Sequence, residues 1–279
     1  MPYTAEISRA NPSCFLFLID QSRSMARPFG GQRGIVKAQG VADAVNRVMQ
    51  NLVLKCTKSD GIRDYFYVGV IGYGAKVGPA FSGGLAGQGL VRISDVADKP
   101  LRLEERSKKI DHGAAEVVEQ KVKFPIWFEA TAEGKTPMCR ALTLAREPIS
   151  EFLNKFPDCY PPLVINVTDG MATDGSPEPC ATALKKLASK DGNVLLFNAH
   201  LSSREALAIE FPESDNGLPD DYSRILFRMS SLLPVKIQSA ARNEGLRATD
   251  ATRGFVFNAD LASVVHFLDI GTKAAQPVV

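Results

Sequence analysis

Residues 15 to 24 read Phe-Leu-Phe-Leu-Ile-Asp20-Gln-Ser22-Arg-Ser24, an apolar run closed by a carboxylate and followed by two hydroxyls at alternate positions. An unbroken Phe/Leu/Ile run of this length reads as a strand buried on both faces, as in parallel sheets covered by helices. Such sheets hold ligands just beyond the carboxyl ends of their strands, where Asp20, Ser22 and Ser24 fall. Aspartate and serine offer only oxygen, a donor set that suits a hard divalent cation such as Mg2+ rather than zinc or copper. Each of the three is also an ordinary turn or helix-cap residue, so the stretch alone leaves a structural role open.

Downstream, Ile35, Ala38, Val41, Val45, Val48 and Leu52 recur at three- and four-residue spacing, with Lys37, Asp43, Asn46, Arg47 and Gln50 between them. This spacing predicts an amphipathic helix of about five turns packed on the sheet. Tyr65 to Tyr73 is aromatic and β-branched and predicts a second core strand. Gly83, Gly84, Gly87 and Gly89 then break the pattern, and the chain to Glu119 is charged and weakly periodic. We expect an insertion or hairpin-rich excursion at a sheet edge, over residues 79–121. It is either a specificity element or a solvated excursion. Val122 to Phe128 reads as the strand that returns the chain, with Pro125 favouring an edge position.

The second half is more regular. Pro137 opens a predicted helix to Phe156, kinked or divided by Pro148, and Leu163 to Thr168 is a short buried strand. A helix over Cys180 to Lys190, a strand over Val194 to His200 and helices over Asp221 to Leu233 and Val235 to Glu244 follow. Between them, Ser202 to Asp221 is a loop that either contacts a partner or connects. Phe255 to Asn258 is a last strand and Leu261 to Gly271 a closing helix. Strands alternating with helices imply an α/β fold with a doubly wound, mostly parallel sheet, in one domain over residues 1–279.

Composition narrows the function. Lys plus Arg outnumber Asp plus Glu by only 33 to 31, and no basic cluster is interleaved with aromatics, which gives no electrostatic case for nucleic acid. No apolar stretch reaches the length of a membrane span, and the first residues lack the pattern of a signal peptide, so a cytoplasmic location is expected. The five cysteines form no CxxC pair and read as free thiols. Cys139 is either a reactive thiol or, as we expect, a small residue on a packed helix.

Two further loops bear oxygen donors. Gly134-Lys-Thr136-Pro137 precedes a helix, and Val-Thr168-Asp169-Gly170 ends a buried strand. Thr136 could equally be an N-cap and Asp169-Gly170 a turn; their occurrence in order with the first motif favours a site. Asp174 reads as a turn residue or a cap for the helix that follows it, and Thr168 as a residue supporting the site.

Asp-x-Ser-x-Ser, then Thr, then Asp along an alternating chain resembles a von Willebrand factor A-type domain with a complete metal-ion-dependent adhesion site. The resemblance covers essentially the whole chain. It implies a six-stranded, mostly parallel sheet flanked by helices, with the three loops at its carboxyl edge. Ser22, Ser24 and Thr136 would then contact a cation through their hydroxyls, with Asp20 and Asp169 acting directly or through water. Mg2+ is the expected ion, with Mn2+ or Ca2+ as alternatives, and an acidic residue of another protein would fill the open position. The chain is similar to intracellular bacterial members found beside tellurite-resistance or stress-response systems. That implies an adaptor whose partner is a protein kinase, a PP2C-type phosphatase or a MoxR-type ATPase.

An Asp ending the first strand also begins haloacid-dehalogenase-type phosphohydrolases. Those enzymes need a second acid two residues on, where this chain has Ser22. Residues 72 to 78 depart from the dinucleotide fingerprint, and no Gly-x-Ser-x-Gly elbow is present. His112, His200 and His266 are scattered, the latter two among apolar residues. We therefore expect a binding protein rather than an enzyme.

Overall fold

The computed structural model describes residues 2–29, 34–111, 117–201 and 207–273. Every residue of strand β1 (Ser13–Asp20) is buried. Phe15, Phe17 and Ile19 enter one core and Cys14, Leu16 and Leu18 the other, because successive side chains leave a strand on opposite faces. The chain continues through α1 (Lys37–Cys56) and a small ribbon, β2 (Thr57–Lys58) with β3 (Gly61–Ile62), into β4 (Phe66–Tyr73). Then come β5 (Val77–Pro79), β6 (Val91–Arg92), α2 (Ile93–Asp98), β7 (Arg102–Asp111) and β8 (Val117–Ile126). The second half runs α3 (Met138–Leu144), α4 (Arg146–Lys155), β9 (Leu163–Thr168), α5 (Pro177–Lys185), and a ribbon of β10 (Ala188–Ser189) and β11 (Gly192–Asn193). It closes with β12 (Leu195–Leu201), β13 (Ile209–Glu210), α6 (Asp221–Met229), α7 (Val235–Asn243), β14 (Phe255–Ala259) and α8 (Leu261–Lys273).

The central sheet has the order β13-β14-β12-β9-β1-β4-β5, with β6 also on β4. Strands β14, β12, β9, β1 and β4 are parallel; β5, β6 and β13 add antiparallel edges. This is the doubly wound, mostly parallel architecture that the alternation implies. The sheet counts eight strands among the described residues rather than six, because the three additions are two or three residues long and leave no periodic trace. Helices α1, α7 and α8 bury their apolar sides on one face, and α3 to α6 on the other. From β1 the chain first steps to β4 on one side and later to β9, β12 and β14 on the other, so strand order reverses at β1. A crevice beyond the carboxyl end of β1 is the place such a reversal provides for a ligand.

Several segments depart from the sequence reading. Val122 to Phe128 is not an edge strand of the central sheet: its first residues belong to β8, which pairs antiparallel with β7 in a separate hairpin. The helix expected from Pro137 divides at Ala145, and Pro148 falls in the first turn of α4, where a missing N–H is tolerated. Helix α5 starts three residues before Cys180 and stops at Lys185, since residues 188–193 form a ribbon. Helix α6 ends at Met229, and its N-cap Asp220 accepts the Ser223 N–H at 2.7 Å. His112 lies outside the described residues.

The hairpin is tied to α1 near its base. Arg106 stacks on Phe124 and pairs with Asp43 at 2.8 Å. Asn46, read as a polar residue of the amphipathic helix, is buried and clamps the returning chain. Its Oδ1 accepts the N–H groups of Trp127 at 2.9 Å and Phe128 at 3.1 Å, and its Nδ2 donates to the Phe128 carbonyl at 2.8 Å. Replacing Asn46 by Ala strands these backbone groups in a dry site, each worth about 1–3 kcal/mol. Asn46→Ala should lower unfolding stability by about 3 kcal/mol, read as a shifted urea midpoint at constant slope. A loss below about 1 kcal/mol would mean that water replaces the clamp.

Candidate metal centre

Strand β1 delivers Asp20 to the carboxyl edge already committed on both oxygens. Oδ1 accepts the Ser22 N–H at 2.8 Å and Oδ2 accepts the Thr168 hydroxyl at 2.7 Å. A single turn of 3-10 helix, Arg23–Ala26, then carries Ser24 back over the site. The Ser22 and Ser24 hydroxyls share a hydrogen bond of 2.9 Å, and Ser24 donates to Asp169 Oδ1 at 2.6 Å. Thr136 arrives on the loop before α3, laced to the first loop by Glu133 N–H to the Gln21 carbonyl, 2.6 Å, and Arg23 N–H to the Gly134 carbonyl, 3.2 Å. A β-carbon on Gly170 would touch Thr136 Oγ1 at 3.6 Å and Ser24 Oγ at 3.9 Å, so both hydroxyls face the same point of the third loop. The fold thus brings together Asp20, Ser22, Ser24, Thr136 and Asp169.

The loops approach backbone to backbone at two glycines. A side chain on Gly74 would meet the carbonyls of Gln21 and Glu133 at 2.5 and 2.6 Å. Gly134 has φ of +82°, and a side chain there would run into the Ala75 backbone. Gly74 and Gly134 thus let the end of β4 brace the two loops.

Asp174 caps a different helix from the one expected. Its Oδ1 accepts the Cys139 N–H at 3.1 Å and its Oδ2 the Arg140 N–H at 2.9 Å, at the start of α3. Helix α5, the one after it, has Ser176 at its N-cap position instead. The consequence falls on Thr136. The cap role open to Thr136 in the sequence is filled by Asp174, and the Thr136 hydroxyl is left to the site. Cys139 is a half-buried thiol whose pKa burial pushes up to about 12, with the Asp174 carboxylate acting in the same direction. His200 stacks on Phe257, accepts the Asn258 N–H through Nδ1, and its pKa is pushed by burial down to about 4, so it sits neutral between aromatic neighbours. His266 pairs with Glu210 at 3.2 Å.

Lys37 is the residue of this site that sequence reasoning missed. Spacing assigned it to the polar positions of α1, yet its side chain is 2% exposed and its ammonium stands 2.5 Å from Asp169 Oδ2. One local signal was available. Lys37 is the first residue of α1, where the positive helix end disfavours a cation unless a carboxylate faces it.

The donor chemistry fits a hard cation. Among the described residues no three His, Cys, Asp or Glu side chains converge, so the centre offers two carboxylates and three hydroxyls rather than a cluster of soft or acidic ligands. Asp20 carries the cost of that arrangement. Burial pushes its carboxyl up to about 6, opposed by hydrogen bonds from Thr168 and Ser22.

No protein-family model matches the chain, and no curated protein sequence does. Among solved structures it is similar to proximal thread matrix protein 1 from the mussel byssus, whose adhesion-site motif is zinc-occupied. That match has 13% identity and TM-score 0.48, covering 98% of this chain and 50% of that one. The ArnB paralogue VWA2 from Sulfolobus acidocaldarius matches at 14% identity and TM-score 0.32, over 70% of this chain and 36% of that one. The pilus adhesin SpaC from Lactobacillus rhamnosus GG matches at 14% and TM-score 0.46, over 98% and 31%. The chain spans half or less of the length of each. At these scores the likeness carries no weight for function, which rests on this chain's own side chains.

The Asp20 carboxyl, which titrates near 6 in the folded protein and near 3.8 unfolded, costs no stability below the lower value, and the full cost is reached as pH rises through the upper one. In EDTA, stability should therefore fall between about pH 4 and 6 by up to about 3 kcal/mol from this group. Asp20→Asn removes the charge, and the Thr168 hydroxyl can turn to the Gly170 carbonyl, 3.1 Å away. The mutant should be at least as stable as wild type at pH 7 in EDTA, with a flatter profile in urea. A mutant that loses stability at pH 7 would show that the Asp20 charge holds the loops together.

Proposed function

We propose that this chain is a von Willebrand factor A-type module that captures an acidic residue of a partner protein through a divalent cation. Mg2+ is the ion proposed, with Mn2+ and Ca2+ as alternatives, because all five donors are oxygens. The supporting observation is the convergence of Asp20, Ser22, Ser24, Thr136 and Asp169 at the carboxyl edge, at the point where strand order reverses. When bound, the cation supplies an electrophilic position that a partner carboxylate can fill. Neutral hydroxyls outnumber carboxylates among the donors, so the two carboxylates balance the ion's charge without exceeding it. Thr168 and the Ser22 backbone fix the orientation of Asp20, and Ser24 fixes that of Asp169.

Chain neighbours of the site include exposed apolar residues. Met171, two residues past Asp169, is 65% exposed, and Ile35 and Val36, just before Lys37, are 39% and 38% exposed. An acidic residue flanked by apolar ones would fit such a surface. The proposal extends to an intracellular adaptor in a signalling or stress-response complex, serving a kinase, a PP2C-type phosphatase or a MoxR-type ATPase.

A binding role is favoured over phosphohydrolase chemistry by Asp20 itself. Both of its oxygens are held by hydrogen bonds, and the residue two positions on is Ser22, whose hydroxyl is engaged with Ser24. Calorimetry should detect Mg2+ or Mn2+ binding to wild type and none to Asp20→Ala or to Ser22→Ala combined with Thr136→Ala. Equal metal affinity in wild type and mutants would remove the site. Partner capture should be lost in EDTA and return with Mg2+, whereas a complex that persists in EDTA would indicate a metal-independent interface. Phosphomonoester turnover that depends on Asp20 would overturn the binding reading in favour of an enzyme.

A further inference from the structure

The buried ion pair between Lys37 and Asp169 has a directional geometry. Lys37 Nζ sits on Asp169 Oδ2 at 2.5 Å, while Oδ1 of the same carboxylate accepts the Ser24 hydroxyl at 2.6 Å. Lys37 therefore holds the oxygen that Ser24 does not, and Oδ1 is the one presented to Ser24, whose hydroxyl also meets that of Ser22. Both side chains of the pair are at most 2% exposed. Burying an ammonium costs several kcal/mol before its partner repays it. A helix N-terminus adds to that cost, and an apolar residue could fill the same position in α1 without either.

We infer that Lys37 sets the charge of the metal centre: it clamps Asp169 through Oδ2 and cancels one of the two carboxylate charges, so that the loaded site demands an anionic ligand. The inference rests on the metal-mediated reading above. The sum is short. Two carboxylates, one ammonium and a divalent cation leave a single positive charge, whereas without Lys37 the same site is neutral. The ammonium repels the cation and weakens its binding, and it raises the attraction of the loaded centre for a partner carboxylate. Lys37 thus trades metal affinity for selectivity toward acids.

The two effects have opposite signs, which separates them from a structural role. Mn2+ would be titrated into wild type, Lys37→Met and Lys37→Gln, followed by water-proton relaxation, and acetate then titrated onto each loaded protein. Glutamine keeps a hydrogen-bond donor for Asp169 and loses the charge, so it stands in if the methionine variant does not fold. Both neutral variants should bind Mn2+ about tenfold more tightly and acetate several-fold more weakly than wild type. Metal and acetate affinities that move together, or do not move, would overturn the inference while leaving the metal site intact. So would a glutamine variant indistinguishable from wild type. Absence of Mn2+ binding in wild type and variants alike would instead remove the metal-mediated reading, and this inference with it.

Discussion

The structure depends on a strand that is apolar on both faces and ends in a charge. Strand β1 is fully buried between β9 and β4, so its last residue, Asp20, emerges where water is already excluded. A carboxylate in that position is costly, and the surrounding loops are arranged around it. Ser22 turns its backbone N–H back onto Asp20, Thr168 donates from the neighbouring strand, and the hydroxyls of Ser22 and Ser24 extend the network to Asp169. The raised pKa of Asp20 measures what remains unpaid after those hydrogen bonds.

The three loops divide the work of holding this arrangement. Backbone bonds among Gln21, Arg23, Glu133 and Gly134 fix the first two, and reciprocal contacts of Thr136 with Thr173 fix the third. Asp174 takes over the N-terminus of α3, and Lys37 pairs with Asp169 on the oxygen that Ser24 leaves. Asp174 and Lys37 each serve another residue rather than a ligand. Their effect is that hydroxyls which could have capped helices or closed turns are presented together, a preorganisation that a weakly donating oxygen site needs.

Much of the scaffold was legible in the sequence. β1, β4, β9, β12 and β14 are apolar enough to be recognised one by one, and the order of Asp20, Ser22, Ser24, Thr136 and Asp169 along an alternating chain pointed to one edge of a sheet. The hairpin of β7 and β8 was visible only as an excursion, because its residues carry mixed charge and its packing partner, α1, lies far away in sequence. Short edge strands left no period to read. Asn46 and Lys37 were assigned to the polar side of α1 because spacing cannot distinguish a polar residue facing water from one facing a buried carbonyl or carboxylate.

The sequence by itself determined the class of fold and the chemical kind of the site, since strand burial is encoded in local apolar runs and ligand type in the oxygen-bearing side chains that follow them. Only the tertiary structure decided how those side chains are used. Whether Thr136 caps a helix or faces the site depends on Asp174 arriving from another loop, and whether Asp169 stands alone depends on Lys37 arriving from α1. Capping and charge pairing over such distances are settled by which loops the sheet brings to one edge, and no local pattern carries that information.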